Sequence, residues 1–339
     1  AAVPVPQPAG TERTRRPRQP TPPADVETFT LNGTLVNGTA GATAPADLPL
    51  TLRVVGLMAD GQPQQLYEGQ TVATPDGSFS FTDVPKSDRA LGVVQTDYAG
   101  VRQTSDQFFP AGIEGESFDL TMTIYETTTD SSVIEIDYVE SVIDAVTAEG
   151  ASLTFQFYEF VNTGDRVYIG EEGRTLRILL PAGALAPNVQ TSIGDPGERF
   201  EIVREEEAFV FYDSESVPPG PFERIAVSYG HPYPGEMSIS QRFVYPVLDS
   251  NVFIAQPRGL ALESDQLQPA DSGDFNGMPY LGFNLVPEPL PVGTALSYRI
   301  FDGPNAASAA PPVRDVAVST EEDGATFLSV ARHSSWVWA

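Results

Sequence analysis

Apolar and polar residues alternate at period two along most of this chain. The segments ETFTLNGTLVNG (27–38), LPLTLRVVGL (48–57), QLYEGQTVAT (65–74), SFSFTDV (78–84), ALGVVQTDYAGV (90–101) and SFDLTMTIYET (117–127) all follow it. Such alternation places one set of side chains on a core face and the other in solvent, so each segment reads as a half-buried strand. Turn chemistry separates them at Asn37-Gly38, Asp60-Gly61, Asp76-Gly77 and Ala99-Gly100. Six or seven short strands within roughly 100 residues predict an immunoglobulin-like sandwich.

The polar run TTTDSS (127–132) marks a boundary, and a second strand-rich region follows. Its segments are SVIEIDYVESVIDAV (132–146), SLTFQFYEFVNTGD (152–165), TLRILLPAG (175–183), RFEIVREEEAFVFYD (199–213) and FERIAVSYGHPY (222–233). SISQRFVYPVLDSNVFIAQP (238–257), LALESDQL (260–267), MPYLGFNLV (278–286) and TALSYRIF (294–301) complete it, which suits a larger sandwich. SVIDAVTAEG has the length of one or two helical turns, but Val and Ile at alternate positions favour a strand. No stretch is amphipathic at helical spacing over a useful length.

Both flanks differ from this body. Residues 1–24 are rich in proline and carry Arg13, Arg15, Arg16 and Arg18 against one acid, Glu12. With so little apolar periodicity the segment cannot build a core of its own. At the other end GPNAASAAPP (303–312) reads as a linker, followed by the strand-like pieces VRDVAVS (313–319) and ATFLSVARHSSWVWA (325–339). Two strands bury too little apolar area to stand alone in water, so this tail is expected to add to a sheet of its own second domain or of a neighbouring copy. The expectation is therefore an all-β protein of two tandem β-sandwiches: an extended arm over 1–25, a first sandwich over 26–128, a larger one over 129–303, and linker plus strands over 304–339.

Charge makes the arm a contact element. The chain carries a net −27, of which the arm contributes +3 and the other 315 residues −30. An extended cationic segment on an acidic body predicts attraction to another copy of that body. The same acidity disfavours nucleic acid and anionic membrane surfaces. No apolar run reaches the roughly 18 residues of a transmembrane segment. The chain has no cysteine, which removes disulfides, thiolate metal sites and iron–sulfur clusters together. The small first residues match what remains after signal-peptide cleavage, so an extracellular or cell-surface location is expected.

The segments GTLVNGTAG (33–41), LPLTLRV (48–54) and above all DGSFSFTDVP (76–85) resemble a carboxypeptidase regulatory-like or collagen-adhesin B-type repeat. SFDLTMTIYETTTDSSVIEIDYV (117–139) and DSGDFNGMPY (271–280) are similar to a two-domain arrangement of bacterial secreted surface proteins. The resemblance spans most of residues 26–303 and implies prealbumin-like sandwiches with an adhesive or architectural role. Repeats of this kind often carry an internal Lys–Asn isopeptide bond, but here the only lysine, Lys86, follows Pro85 in a predicted loop, so that bond is not expected.

Signals for catalysis are thin, and no enzyme is expected. His231 and His333 are the only histidines and show no metal-ligand spacing. Glu171-Glu172, Glu205-Glu206-Glu207 and Glu321-Glu322-Asp323 read as solvated hairpin tips rather than as a carboxylate pair across a cleft. DSGDFNG (271–277) offers Asp271, Asp274 and Asn276 as oxygen ligands, so calcium is the one cofactor worth testing. Asn32 and Asn37 open Asn-Gly-Thr sequons, although Asn-Gly is also hairpin-turn chemistry. Phe155 and Phe157 share strand parity while Tyr158 and Phe160 point the other way, so this strand should be covered on both faces, in a core or an interface.

The expected function is a self-assembling extracellular subunit, a filament or surface appendage joined head to tail through its arm or its tail. Arg13, Arg15, Arg16, Arg18, Trp336 and Trp338 are the expected contacts. A monomeric adhesin or carbohydrate-binding module is the alternative, and an accessory subunit of a larger envelope complex is a third reading.

Overall fold

The computed structural model describes residues 27–57, 62–146, 150–191, 199–205, 208–256, 259–275, 278–286 and 289–303. The arm with Arg13, Arg15, Arg16 and Arg18, and the tail with Trp336, Trp338 and His333, lie outside the described residues. The chain divides into two compact units, Ala1–Glu126 and Thr127–Ala339. The described residues are all-β apart from short 3-10 turns, among them Pro110–Gly112 and Ser131–Val133.

Among the described residues the first unit holds seven strands: β1 (Thr28–Asn37), β2 (Pro49–Leu57), β3 (Pro63–Val72), β4 (Ser78–Pro85), β5 (Ala90–Tyr98), β6 (Val101–Thr104) and β7 (Ser117–Ile124). They form a three-stranded sheet ordered β4-β1-β7 and a four-stranded sheet ordered β3-β2-β5-β6. β1 pairs antiparallel with β4 and parallel with β7. Phe29, Leu31 and Leu35 of β1, Leu50, Leu52 and Val54 of β2, and Phe79 and Phe81 of β4 fill a single core between the sheets. Their period-two spacing is why these residues became strands: each puts every second side chain into that core.

The segment 90–101, read as one stretch, is a hairpin of β5 and β6 closed at Ala99-Gly100, with Tyr98 opposite Val101. Both turn residues have positive φ, 51° for Ala99 and 84° for Gly100. That is the primed-turn geometry that matches the right-handed twist of the flanking strands.

The second unit begins with β8 (Thr127–Thr128), β9 (Ile134–Val146), β10 (Ala151–Asn162), β11 (Val167–Tyr168), β12 (Leu176–Leu179) and β13 (Leu185–Thr191). It continues with β14 (Phe200–Glu205), β15 (Ala208–Asp213), β16 (Gly220–Pro232), β17 (Glu236–Arg242) and β18 (Val247–Ala255). The last are β19 (Leu260–Glu263), β20 (Leu267–Pro269), β21 (Gly273–Phe275), β22 (Met278–Leu285) and β23 (Ala295–Asp302). A wide eight-stranded sheet runs β13-β16-β10-β9-β18-β22-β20, with β21 added to β22. Two three-stranded sheets, β12-β15-β14 and β17-β23-β19, contribute to the same core, and β8 pairs with β11.

SVIDAV lies in strand β9, as the alternate Val and Ile require. β13 carried no period-two signal, because LAPNVQT buries only Val189 and contains Pro187. It is a sheet-edge strand held by its pairing with β16, and edges are where proline is tolerated.

The wide sheet turns Tyr158, Phe160, Ile225, Val227, Val252 and Ile254 inward to meet Ile178, Phe211, Ile239 and Ile300 of the smaller sheets. Polar residues on this inner face satisfy one another: the Tyr158 hydroxyl donates to Gln156 Oε1 at 3.0 Å, and Gln156 Nε2 donates to Ser141 Oγ at 3.0 Å. Pairing these groups offsets the cost of burying them.

Candidate interaction surface

The outer face of the wide sheet is built from four neighbouring strands, β16, β10, β9 and β18. One cross-strand row runs Ser228, Phe155, Val142, Phe253. The next runs Ala226, Phe157, Glu140, Asn251, and a third Arg224, Glu159, Tyr138, Asp249. All of these side chains are half-buried. Phe155 and Phe157 therefore face outward while Tyr158 and Phe160, each 1% exposed, fill the core. This side of the sheet combines aromatic rings with carboxylates.

Arg224 organises the centre of that face. Its guanidinium lies 4.5 Å from the Phe157 ring centroid, with Nη2 at 3.5 Å from Glu140 and Nε at 3.6 Å from Glu159. The Tyr138 hydroxyl donates to Glu140 Oε2 at 3.3 Å and accepts from Asn251 Nδ2 at 2.8 Å. Burial pushes the Glu140 carboxyl above the ordinary glutamate value, a shift that Arg224 partly offsets. Glu135, beside Val161, adds a fourth carboxylate to Glu140, Glu159 and Asp249. Arg224 is the only cationic side chain on this face among the described residues.

A second feature lies on the first unit. A groove of about 720 Å³ is lined by Asn32, Thr34, Ser78, Ser80, Asp119 and Thr121 from β1, β4 and β7, with Thr71 and Thr74 at its side. Asn32 is exposed there and accepts from Ser80 Oγ at 3.5 Å. Asn37, the other sequon asparagine, is engaged in the fold. Its Nδ2 donates to Glu126 Oε1 at 3.2 Å, its Oδ1 accepts from the Thr39 amide at 3.0 Å, and Thr39 Oγ1 accepts from the Glu126 amide at 2.9 Å.

The remaining candidates separate in space. Asp271 is exposed, while Asn276 and the side chain of Asp274 lie outside what the structure describes. Among the described residues no three His, Asp or Glu side chains converge as a metal-binding group. His231 sits against backbone carbonyls, with Nε2 at 3.1 Å from Ala182 O and Nδ1 at 3.2 Å from Pro232 O. Lys86 Nζ is 3.8 Å from Glu27. Glu171 and Glu172 form a tight turn closed by Arg174. Glu205 binds Arg177 at 2.6 Å and accepts from Tyr212. Glu206, Glu207, Glu321, Glu322 and Asp323 lie outside the described residues.

No family model matches the chain, and no curated protein matches it. Among solved structures, the M1 zinc metallopeptidase of Deinococcus radiodurans is similar over 50% of this chain and 42% of its own, at 12% identity and a TM-score of 0.32. A putative carbohydrate-binding protein from Pseudomonas aeruginosa is similar over 29% of this chain and 89% of its own, at 15% identity and a TM-score of 0.20. This chain thus spans less than half of the peptidase's length, and neither likeness carries a functional argument. Among the described residues no helix is long and apolar enough to cross a membrane.

Proposed function

We propose that this chain is a non-catalytic structural subunit that assembles with copies of itself on the outside of a bacterial cell, each copy holding the next by its N-terminal arm. The observation that carries the reading is the partition of charge, +3 on residues 1–24 against −30 on the rest. Opposite charges on two parts of one chain favour a head-to-tail contact, and such a contact propagates instead of closing unless its rotation makes a ring. The all-β sandwich fold agrees with this role and with the resemblance to carboxypeptidase regulatory-like domains. Electron microscopy and light scattering of the full chain beside the chain lacking residues 1–24 test it. Polymers that vanish on deletion are the expected result, and monodisperse monomers in both preparations would overturn the reading.

A monomeric glycan-binding module is the second reading, favoured by the hydroxyl-, amide- and carboxylate-lined groove around Asn32, Ser80 and Asp119. Co-sedimentation of a monodisperse chain with insoluble polysaccharides, lost in Asn32→Ala and Asp119→Ala, would select it.

A further inference from the structure

We infer that the arm of one copy seats across the outer face of the wide sheet of the next copy, on the strip formed by Tyr138, Glu140, Phe155, Phe157, Glu159 and Asp249. The inference rests on the assembly reading above and adds the receiving surface.

Two properties of the arm select a sheet face over a sheet edge. Prolines at 4, 6, 8, 17, 20, 22 and 23 remove backbone donors on both sides of residues 9–16, so the hydrogen-bond ladder that strand addition requires would be interrupted along most of the arm. Proline-rich segments instead hold an extended left-handed helix that docks on aromatic surfaces. The arm's arginines then need carboxylates beside those rings. The strip supplies both: Glu140 and Glu159 lie beside Arg224, and Asp249 and Glu135 stand further along the same face, where Arg224 is the one cation among the described residues.

Arg224 already displays the binding mode. One guanidinium stacks on Phe157 at 4.5 Å and reaches two carboxylates at 3.5 and 3.6 Å. A planar guanidinium does both at once, which a lysine ammonium does less well. All the cations of the arm are arginines, Arg13, Arg15, Arg16 and Arg18. Dimensions agree as well. Arg13 to Arg18 would span about 15 Å if extended as a proline-type helix at roughly 3.1 Å per residue. The strands from β16 to β18 span about 14 Å at roughly 4.8 Å per spacing. Burial that raises the Glu140 carboxyl also means that a second cation there would be favourable.

The test places a photo-reactive benzoylphenylalanine at Gln19 of the full chain, beside the arginines, and mixes it with isotope-labelled chain before irradiation. The expected result is crosslinks between copies that map to residues 135–142 and 153–161. In parallel, Glu140→Gln combined with Glu159→Gln should raise the concentration needed for assembly about tenfold or more, with the folded spectrum kept. Crosslinks between copies to another surface would overturn the seat while leaving the assembly reading intact. Crosslinks confined to one copy, or assembly that survives without residues 1–24, would overturn the arm's role. A chain that never assembles and pulls down polysaccharide would overturn both. Should the double variant misfold, the crosslink map still decides.

Discussion

Arg199 shows how single residues hold the second unit together. Its Nη2 and Nε sit at 2.6 and 2.7 Å from the two oxygens of Asp213, it also contacts Glu223, and its guanidinium lies over Phe200 and Phe222. Asp213 is 1% exposed, so its carboxylate depends on that fork. Arg199→Met keeps the alkyl stem between the rings but leaves a buried charge uncompensated. We expect a loss of about 3–5 kcal/mol, read as a lower denaturation midpoint at unchanged slope. Glu140 contributes in the opposite sense. Its folded-state pKa is raised above the ordinary 4.5. The folded protein therefore binds more protons than the unfolded one between 4.5 and the raised value, and stability falls as pH rises through that window. In urea titrations across mildly acidic pH, the stability of the wild type relative to Glu140→Gln should fall as pH rises. Parallel slopes in the two proteins would place the shift elsewhere.

Strands β1 and β4 meet where Gly33 lies opposite Phe79, and a Cβ at Gly33 would fall 1.9 Å from the Phe79 ring. That ring is 5% exposed and packed in the core, so it has no room to yield. Gly33→Val, though a better strand former on propensity, should cost about 1–3 kcal/mol through overpacking. The β5–β6 turn offers the reverse case. Ala99 sits at φ 51°, a conformation asparagine tolerates better than alanine. Ala99→Asn creates the favoured Asn-Gly turn and should stabilise the unit by roughly 0.5–1 kcal/mol, measured by the same denaturation midpoint. No gain would mean that the hairpin is held by its strands and not by its turn.

The whole molecule is dominated by its net charge of −27. Copies carrying this charge repel at long range, and in the assembly proposed above the cationic arm would turn that repulsion into directed contact. Assembly should weaken as ionic strength rises from 0.1 to 1 M, over which the screening length falls from about 10 to about 3 Å. Light scattering across that range checks it. Assembly that strengthens steadily with salt would mean an apolar contact with no arginine pairing.

Local pattern by itself determined the fold class and most of the strands. β1, β4 and β10 were legible because period-two alternation has one low-energy solution, a sheet with one face in a core. It also determined that Phe155 and Phe157 face away from Tyr158 and Phe160, since parity along a strand needs no knowledge of its neighbours. Strand order and cross-strand partners were not legible. The parallel pairings of β1 with β7 and β9 with β18, and the edge position of β13, rest on contacts between distant segments that leave no periodic trace. The same holds for the candidate surface. Tyr138 and Asn251 are 113 residues apart, and Glu140, Glu159 and Arg224 sit on three different strands. Each reads alone as an ordinary polar residue of a half-exposed strand face. Only tertiary pairing brings them beside aromatic rings, where partial burial changes the energetics of their charges.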